Sequence, residues 1–504
     1  MNPVIKTAVF ALGLCVAAAG GASAATKCVS PSGTGGCSTS IQAAIDAANP
    51  GDTILIKKGV YAENVIVTRS LTLVGESRER TIIVPAMSNA GCVGGSLCSG
   101  LASNVILVQA NNVTIRNLTI DGDNPNLTSG IVRGGADLDV NNGIITNHAA
   151  GVFNGLRVVG VTVRNIYLRG IYASSGGTFE FRDNKVSNVQ GDPNSIAIFN
   201  FGGGGIVAEN EVTDANDAIA SNWSTGTRYL DNEISRAASG IHTDNAGGFG
   251  SVGPETIRGN ALRAGVVGGW GVWVFNSYVP VTIDDNTVED VDMGLAVFGQ
   301  ATPVGRPVFS RNRVQGKNAP GGAGVFVSTD LVGWGQADVS ATFTENVVTH
   351  NIDAFVIDAE TSHAVTVLAT CNSIRHNSNA GVTLTNGDAT ASWYGTTPPG
   401  GLLNVTFTNN VIKNKTVGMA NLNATPGLVD AANNWWGCAG GPVAPGCDKV
   451  VGSIVFSPPL AHPPACVPRG DGDDDKGDKR DGDRDGKDSK RDGDKDGKDG
   501  KRDR

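Results

Sequence analysis

Gly240-Ile241-His242-Thr243, Gly271-Val272-Trp273-Val274, Gly294-Leu295-Ala296-Val297 and Gly324-Val325-Phe326-Val327 are four versions of one phrase. Gly170-Ile171-Tyr172-Ala173, Ser195-Ile196-Ala197-Ile198 and Gly381-Val382-Thr383-Leu384 align with them. In each, aliphatic residues fall at every second position, the period of a strand, and Gly opens the strand where the chain turns a corner. No part of the repeat region sustains a helical period of about 3.6. Upstream of the phrase stands an Asn followed by a short apolar run: Asn117, Asn184, Asn210, Asn232, Asn260, Asn286, Asn312, Asn346, Asn372, Asn410 and Asn434, with Gly160 in the same column. From Asn184 the gaps are 26, 22, 28, 26, 26, 34, 26, 38 and 24 residues. A strand-bearing period in the twenties means a solenoid, and stacked coils of short parallel strands give a parallel β-helix. The Asn column then reads as a ladder that satisfies turn backbone groups which no sheet pairs, a scaffold device with no catalytic role.

Composition agrees with short strands and tight turns: 69 Gly, 6% aromatic and 17% charged residues. A solenoid core grows with its length, so 504 residues need not divide into several domains. The formal charge of -9 offers no basic footprint, which excludes nucleic acid as the expected partner.

Lys6, an apolar run from Ala8 to Ala19 and Ala22-Ser23-Ala24 read as a secretory signal peptide over residues 1–24. The run is too short to span a membrane, so no transmembrane segment is expected once it is removed. Eight cysteines then remain, an even number that argues for disulfides in an exported chain. Spacing favours Cys28 with Cys37, Cys92 with Cys98 and Cys438 with Cys447, leaving Cys371 and Cys466 for a longer link. A metal site is disfavoured because no C-x-x-C pair or His cluster accompanies them.

Ser40 to Ala48 is the one convincing amphipathic helix, and it can plug the open end of the solenoid as an N-terminal cap over about 38–75. The order IQAAIDAANPGDTILIKKGVYAENVIV (residues 41–67), then LTLVGE (71–76), is similar to the entry segment of the pectin lyase-like right-handed parallel β-helix superfamily. Asn433-Asn434-Trp435-Trp436-Gly437, with Phe456-Ser457-Pro458 after it, resembles the terminal coil of bacterial right-handed β-helix repeat proteins of this group. The resemblance implies an all-β right-handed solenoid over residues 25–460 that meets polysaccharide, and the amino-terminal signal implies a secreted protein, extracellular, at the cell surface or periplasmic, expected as a monomer. The group's lyase, polygalacturonase, methylesterase and alginate epimerase motifs are not matched, and Asp284-Asp285 falls at a turn beside the ladder.

Side chains alternate along a strand, so with Ile241 and Thr243 inward, His242 and Asp244 point outward side by side. The same register gives two outward columns. One is Tyr172, Ala197, Ala220, His242, Trp273, Ala296, Phe326 and Val356; the other is Ser174, Phe199, Asn222, Asp244, Phe275, Phe298, Ser328 and Asp358. Tyr172, Phe199, Asn222, Trp273, Phe275, Phe298 and Phe326 are the candidate sugar-binding residues, because aromatic faces stack on sugar rings. Packing beneath the excursions at 245–253, 328–337 and 386–402 explains the same aromatics equally well. His242 and Asp244 are the candidate catalytic pair, an imidazole oriented by a carboxylate to take a proton from a sugar carbon or from water.

Residues 461–468 are a Pro-rich linker, and residues 469–504 carry 13 basic and 14 acidic side chains among Gly, a composition that predicts a disordered tail. Asp481, Asp483, Asp485, Gly486 and Asp492, and again Asp492, Asp494, Asp496, Gly497 and Asp503, have calcium-loop spacing. Calcium is therefore the one cofactor the sequence allows, although interleaved Lys and Arg oppose it. The expected function is binding, with cleavage or epimerisation, of an acidic extracellular polysaccharide by a lyase, hydrolase or epimerase; the alternative is a non-catalytic surface protein that adheres to glycan or a partner.

Overall fold

The computed structural model describes residues 24–468 apart from 93, 99, 175, 225, 245–252, 264, 266–268, 276–279, 300–305, 317–321, 332–334, 361–362, 386–399, 416 and 424–426. Residues 1–23 of the expected signal peptide, the tail and its calcium-loop spacing lie outside the described residues. The described chain is a right-handed parallel β-helix with three strand faces. The first is a 15-stranded sheet that runs from Thr26–Val29 to Leu428–Asp430. Another 25 strands form the second and third faces. Thr162–Ile166 and Lys185–Val189 belong to the second face, and Arg169–Ala173, Ile196–Phe201, Trp270–Phe275 and Met293–Phe298 to the third. Glu211–Asn222 and Glu233–Asp244 run through both.

One apolar core fills the coil along its length. Phe181, Tyr229, Phe309, Phe343, Phe407 and Trp436 are fully buried in it, and the rings of Phe309 and Phe343 stack at 4.7 Å. Complete burial of such a side chain stabilises by about 1.5–3 kcal/mol. The helix forms at Ile41–Asp46, shorter than its amphipathic stretch. Six residues are marginal alone. The Ser40 side chain accepts from the Ala43 N–H, and the Glu63 carboxylate accepts from the N–H groups of Ile41 (2.8 Å) and Gln42 (3.0 Å). Ile41, Ala44 and Ile45 join the core. All four disulfides form: Cys28–Cys37, Cys92–Cys98, Cys371–Cys466 and Cys438–Cys447.

The ladder is continuous from Asn184 to Asn434. Each Oδ1 accepts both the backbone N–H and the Nδ2 of the Asn one coil earlier; for Asn286 these are 3.0 and 2.9 Å from Asn260. Each Nδ2 also reaches a first-sheet carbonyl, as Asn286 reaches Ile257 at 2.9 Å. Asn117 and Gly160 are not in this column. They stand one residue earlier, with φ of 55° and 65°, in a column of left-handed residues that continues through Asp183, Asp231, Asp285 and Asn409. The ladder position in the Gly160 coil is Val161, whose N–H donates to Asn184 Oδ1. A second, shorter ladder at the next corner links Asn351, Asn377, Asn414 and Asp448.

The repeated Gly has a different role from the one expected. Strands of the third face begin one residue before it, and Gly170, Gly271 and Gly294 have no positive φ. A Cβ on Gly271 would lie 2.3 Å from the Gly294 carbonyl and 2.5 Å from Val288 Cγ1. These glycines let the second and third sheets approach at a narrow corner.

Candidate active site on the outer face of the third sheet

Strand register fixes which outward residues are neighbours. Tyr172 pairs with Phe199, Phe199 with Ala220, Ala220 with His242, and His242 with Trp273. Phe199 therefore belongs to the His242 column, two residues from its expected place, because Ile198 rather than Ile196 is the partner of Ile171. Phe201 pairs with Asn222, and Asn222 with Asp244. Starting the strands before the Gly exposes a further outward column that runs from Arg169 through Ile196, Asp217 and Ser239 to Trp270 and Met293.

The aromatics do not form an open groove. Trp273, Phe275, Phe298 and Phe326 cluster with Met293, Ala296 and Val356, and the most exposed of these, Trp273, is only 9% exposed. Their rings touch in sequence, with Trp273–Phe275 at 5.7 Å, Phe275–Phe298 at 6.2 Å and Phe298–Phe326 at 5.7 Å. A second outer cluster joins Tyr172, Phe199 and Ala220 to Leu107 and Ile145. Of the two readings of these aromatics, groove and packing, their burial in outer clusters favours packing. The excursions at 245–253 and 386–402 lie almost wholly outside the described residues; that at 328–337 turns back as the antiparallel pair Asp330–Leu331 and Gly335–Gln336.

Between the two clusters runs a polar strip that holds Arg169, Asp217, Ser239 and His242. The Arg169 guanidinium lies 4.9 Å from the Phe199 ring centre, and its Nη1 donates to the carbonyls of Leu168 (3.1 Å) and Asn194. Its Nε is buried with no hydrogen-bond partner. Burial pushes the Asp217 carboxyl up to about 6, while the Ser239 hydroxyl and the Arg169 charge pull the other way. Ser239 Oγ in turn accepts from Trp273 Nε1 at 2.9 Å. The His242 ring packs 4.2 Å from that of Trp273. Burial, helped by the Arg169 charge, drives the imidazole down to about 3, so it is neutral.

The expected His242–Asp244 dyad is not formed. His242 Nδ1 is buried without a hydrogen-bond partner, so no carboxylate orients the ring through that nitrogen, and an imidazole held this low is a poor base. Within the strip, the group poised to exchange a proton near neutrality is Asp217. A second set of carboxylates lies further along the face: Asp330, Asp358 and Glu360 are all buried, and burial together with Asp358 and Asp330 pushes Glu360 up to about 8. A groove of about 410 Å³ on the second face is lined by Glu211, Glu233, Leu262, Arg263 and Glu289. Its charges pair across coils, Lys185 with Glu211 at 2.6 Å and Arg263 with Glu289, which makes it a charge ladder.

Residues 142–314 match the family model described as "Right handed beta helix region", a span that contains the whole polar strip. No curated protein matches the sequence. Among solved structures, the A-module of a mannuronan C-5 epimerase from Azotobacter vinelandii is 13% identical, with 79% of this chain and 94% of that chain covered and a TM-score of 0.40. The catalytic unit of a GH87 α-1,3-glucanase from Streptomyces thermodiastaticus is 16% identical over 84% of this chain and 66% of that one, with a TM-score of 0.39. DFA-IIIase from Arthrobacter chlorophenolicus is 13% identical over 79% and 99%, with a TM-score of 0.38. Three parallel strand faces wound around one core give this chain the right-handed parallel β-helix fold, and the family model matches its residues 142–314.

Proposed function

We propose that this is a secreted protein that binds an acidic polysaccharide on the outer face of its third sheet and carries out proton transfer on a uronic acid residue there. The observation that carries the reading is the polar strip itself. Arg169 Nε and His242 Nδ1 are buried with no partner beside a carboxyl group raised to about 6. Leaving a buried polar group unpaired costs about 1–3 kcal/mol. The Asn column shows that this chain can pair buried polar atoms coil after coil, and at the strip a ligand would supply the missing partners. In this reading the Arg169 charge attracts the sugar carboxylate, His242 contributes a neutral ring to the pocket wall, and Asp217 accepts or donates the proton. Secretion is supported by the amino-terminal apolar run and the four disulfides.

The test is to incubate the full chain with galacturonate, mannuronate and guluronate polymers, following unsaturated-product absorbance, reducing ends and exchange of solvent deuterium into the sugar. Turnover of one polymer is the expected result. Absence of both turnover and binding for all three polymers would sink the reading.

A further inference from the structure

Trp223 is 41% exposed and sits at φ 57°, the left-handed region. The equivalent corner positions of the two preceding coils are Gly176 and Gly202, at φ 78° and 74°. Coil stacking aligns the three: the Gly176 N–H donates to the Phe201 carbonyl and the Gly202 N–H to that of Asn222. A bulky residue in this conformation is uncommon, and such strain persists only where the surroundings over-determine it. Here they do. The Ser224 N–H donates to the Asp244 carbonyl at 3.0 Å, and the Ser224 hydroxyl donates to the fully buried Glu255, which also accepts from Thr243 Oγ1 at 2.7 Å. A large, exposed ring thus stands next to a residue fixed by a buried polar network, at a corner where two coils use Gly. The indole lies nearly parallel to the half-buried Phe201 ring, tilted by 22° with centres 5.9 Å apart.

We propose that Trp223, backed by Phe201, is a stacking subsite for a distal sugar of the same oligosaccharide that the Asp217 strip engages, an inference that rests on the glycan reading of that strip. Six residues of strand separate Asp217 from Trp223, about 20 Å, so one sugar cannot touch both and the ligand is an oligomer. Its apolar ring face stacks on the indole, which tolerates any sugar that presents such a face.

The experiment titrates hexamers and dimers of galacturonate, mannuronate and guluronate into the full chain that carries Asp217→Asn, which should hold ligand without turning it over, with and without changes at Trp223. Trp223→Ala should weaken binding of the preferred hexamer about 10–50-fold, leave the dimer unchanged, and be restored to within about 3-fold by Trp223→Phe. Equal loss for both lengths, no loss, or no restoration by Phe at an unchanged thermal midpoint overturns the subsite. If Trp223→Ala does not fold, Phe201→Leu carries the same expectation for hexamer over dimer. Binding that ignores Trp223 defeats only this inference, whereas no binding of either length by the unmodified chain defeats the glycan reading itself.

Discussion

The Asn184–Asn434 corner and the Arg169–His242 strip occupy overlapping coils and solve the burial of polar atoms in opposite ways. At the corner every coil carries the same side chain, each amide oxygen takes two donors from its neighbour, and each Nδ2 finds a carbonyl. In the strip each coil carries a different side chain: Arg169, then Ile196, Asp217, Ser239 and Trp270. Two of the buried nitrogens there have no partner. Repetition closes a hydrogen-bond network on itself; broken repetition leaves valences for something else. The strip is one place in this solenoid where a column stops repeating, buried polar groups are left unpaired and a carboxyl group is raised beside them.

The comparison breaks most readily at Asp217. Asp217→Asn keeps the shape and the Ser239 contact but removes the exchangeable proton, so turnover of the preferred polymer should fall about 10²–10⁴-fold with binding retained. The pH profile of turnover by the unmodified chain should show an inflection near 6, and a rising limb marks Asp217 as base, a falling limb as acid. A profile without that inflection would remove Asp217 from the chemistry.

Next in size is the packed outer cluster. Phe298 is fully buried between Phe275 and Phe326. Phe298→Ala should cost about 3–5 kcal/mol in denaturant unfolding, with glycan affinity unchanged in whatever fraction stays folded. Retained stability with lost affinity would return these rings to the role of an open platform.

At the corner, Asn286→Ala strips Asn260 of the oxygen that takes both its N–H and its Nδ2, and frees the Ile257 carbonyl. The expected loss is about 2–4 kcal/mol, with affinity for hexamers unchanged. A weakened affinity at native stability would make the ladder part of the site.

The fold was legible because it repeats: alternation in Gly271-Val272-Trp273-Val274 and the Asn spacing both survive local errors. The site was not, for two physical reasons. Taking Gly as the first residue of each strand hid the column of Arg169, Asp217, Ser239 and Trp270, since these residues precede it. Gly is there for close packing against the next coil, a demand that spacing does not reveal. Phe199 stands two positions from the Asp244 column in which alternation alone sets it, and a shift of two keeps a residue on the same face, so the period cannot detect it. His242 was found as an outward residue, but its protonation depends on how deeply neighbouring coils bury it. Trp223 carried no strand signal at all, and only its φ marks it.

The smallest effect is the most discriminating, because two groups in the strip work against each other. Asp217 has its folded value raised from 3.8 to about 6, so the native state holds this proton more tightly than the unfolded chain does. Its contribution to stability is present at low pH and is lost as pH rises through about 4 to 6. His242 is lowered from 6.5 to about 3, so the unfolded chain takes up the proton first. Its contribution is present above about 6.5 and is lost as pH falls toward 3. Between about pH 4 and 6 the two slopes have opposite sign and similar size, and they largely cancel in the unmodified protein. Removing either partner should expose the other. Relative to the unmodified chain, Asp217→Asn should lose about 1–2 kcal/mol more on acidification from about pH 6 to pH 4, and His242→Gln should gain by a similar amount. Urea unfolding at the two pH values measures both differences, and other carboxylates drop out because they are common to all three proteins. Parallel stability curves would mean that neither group is desolvated as the strip requires, and the contrast between a saturated corner and an unsaturated site would fail with it.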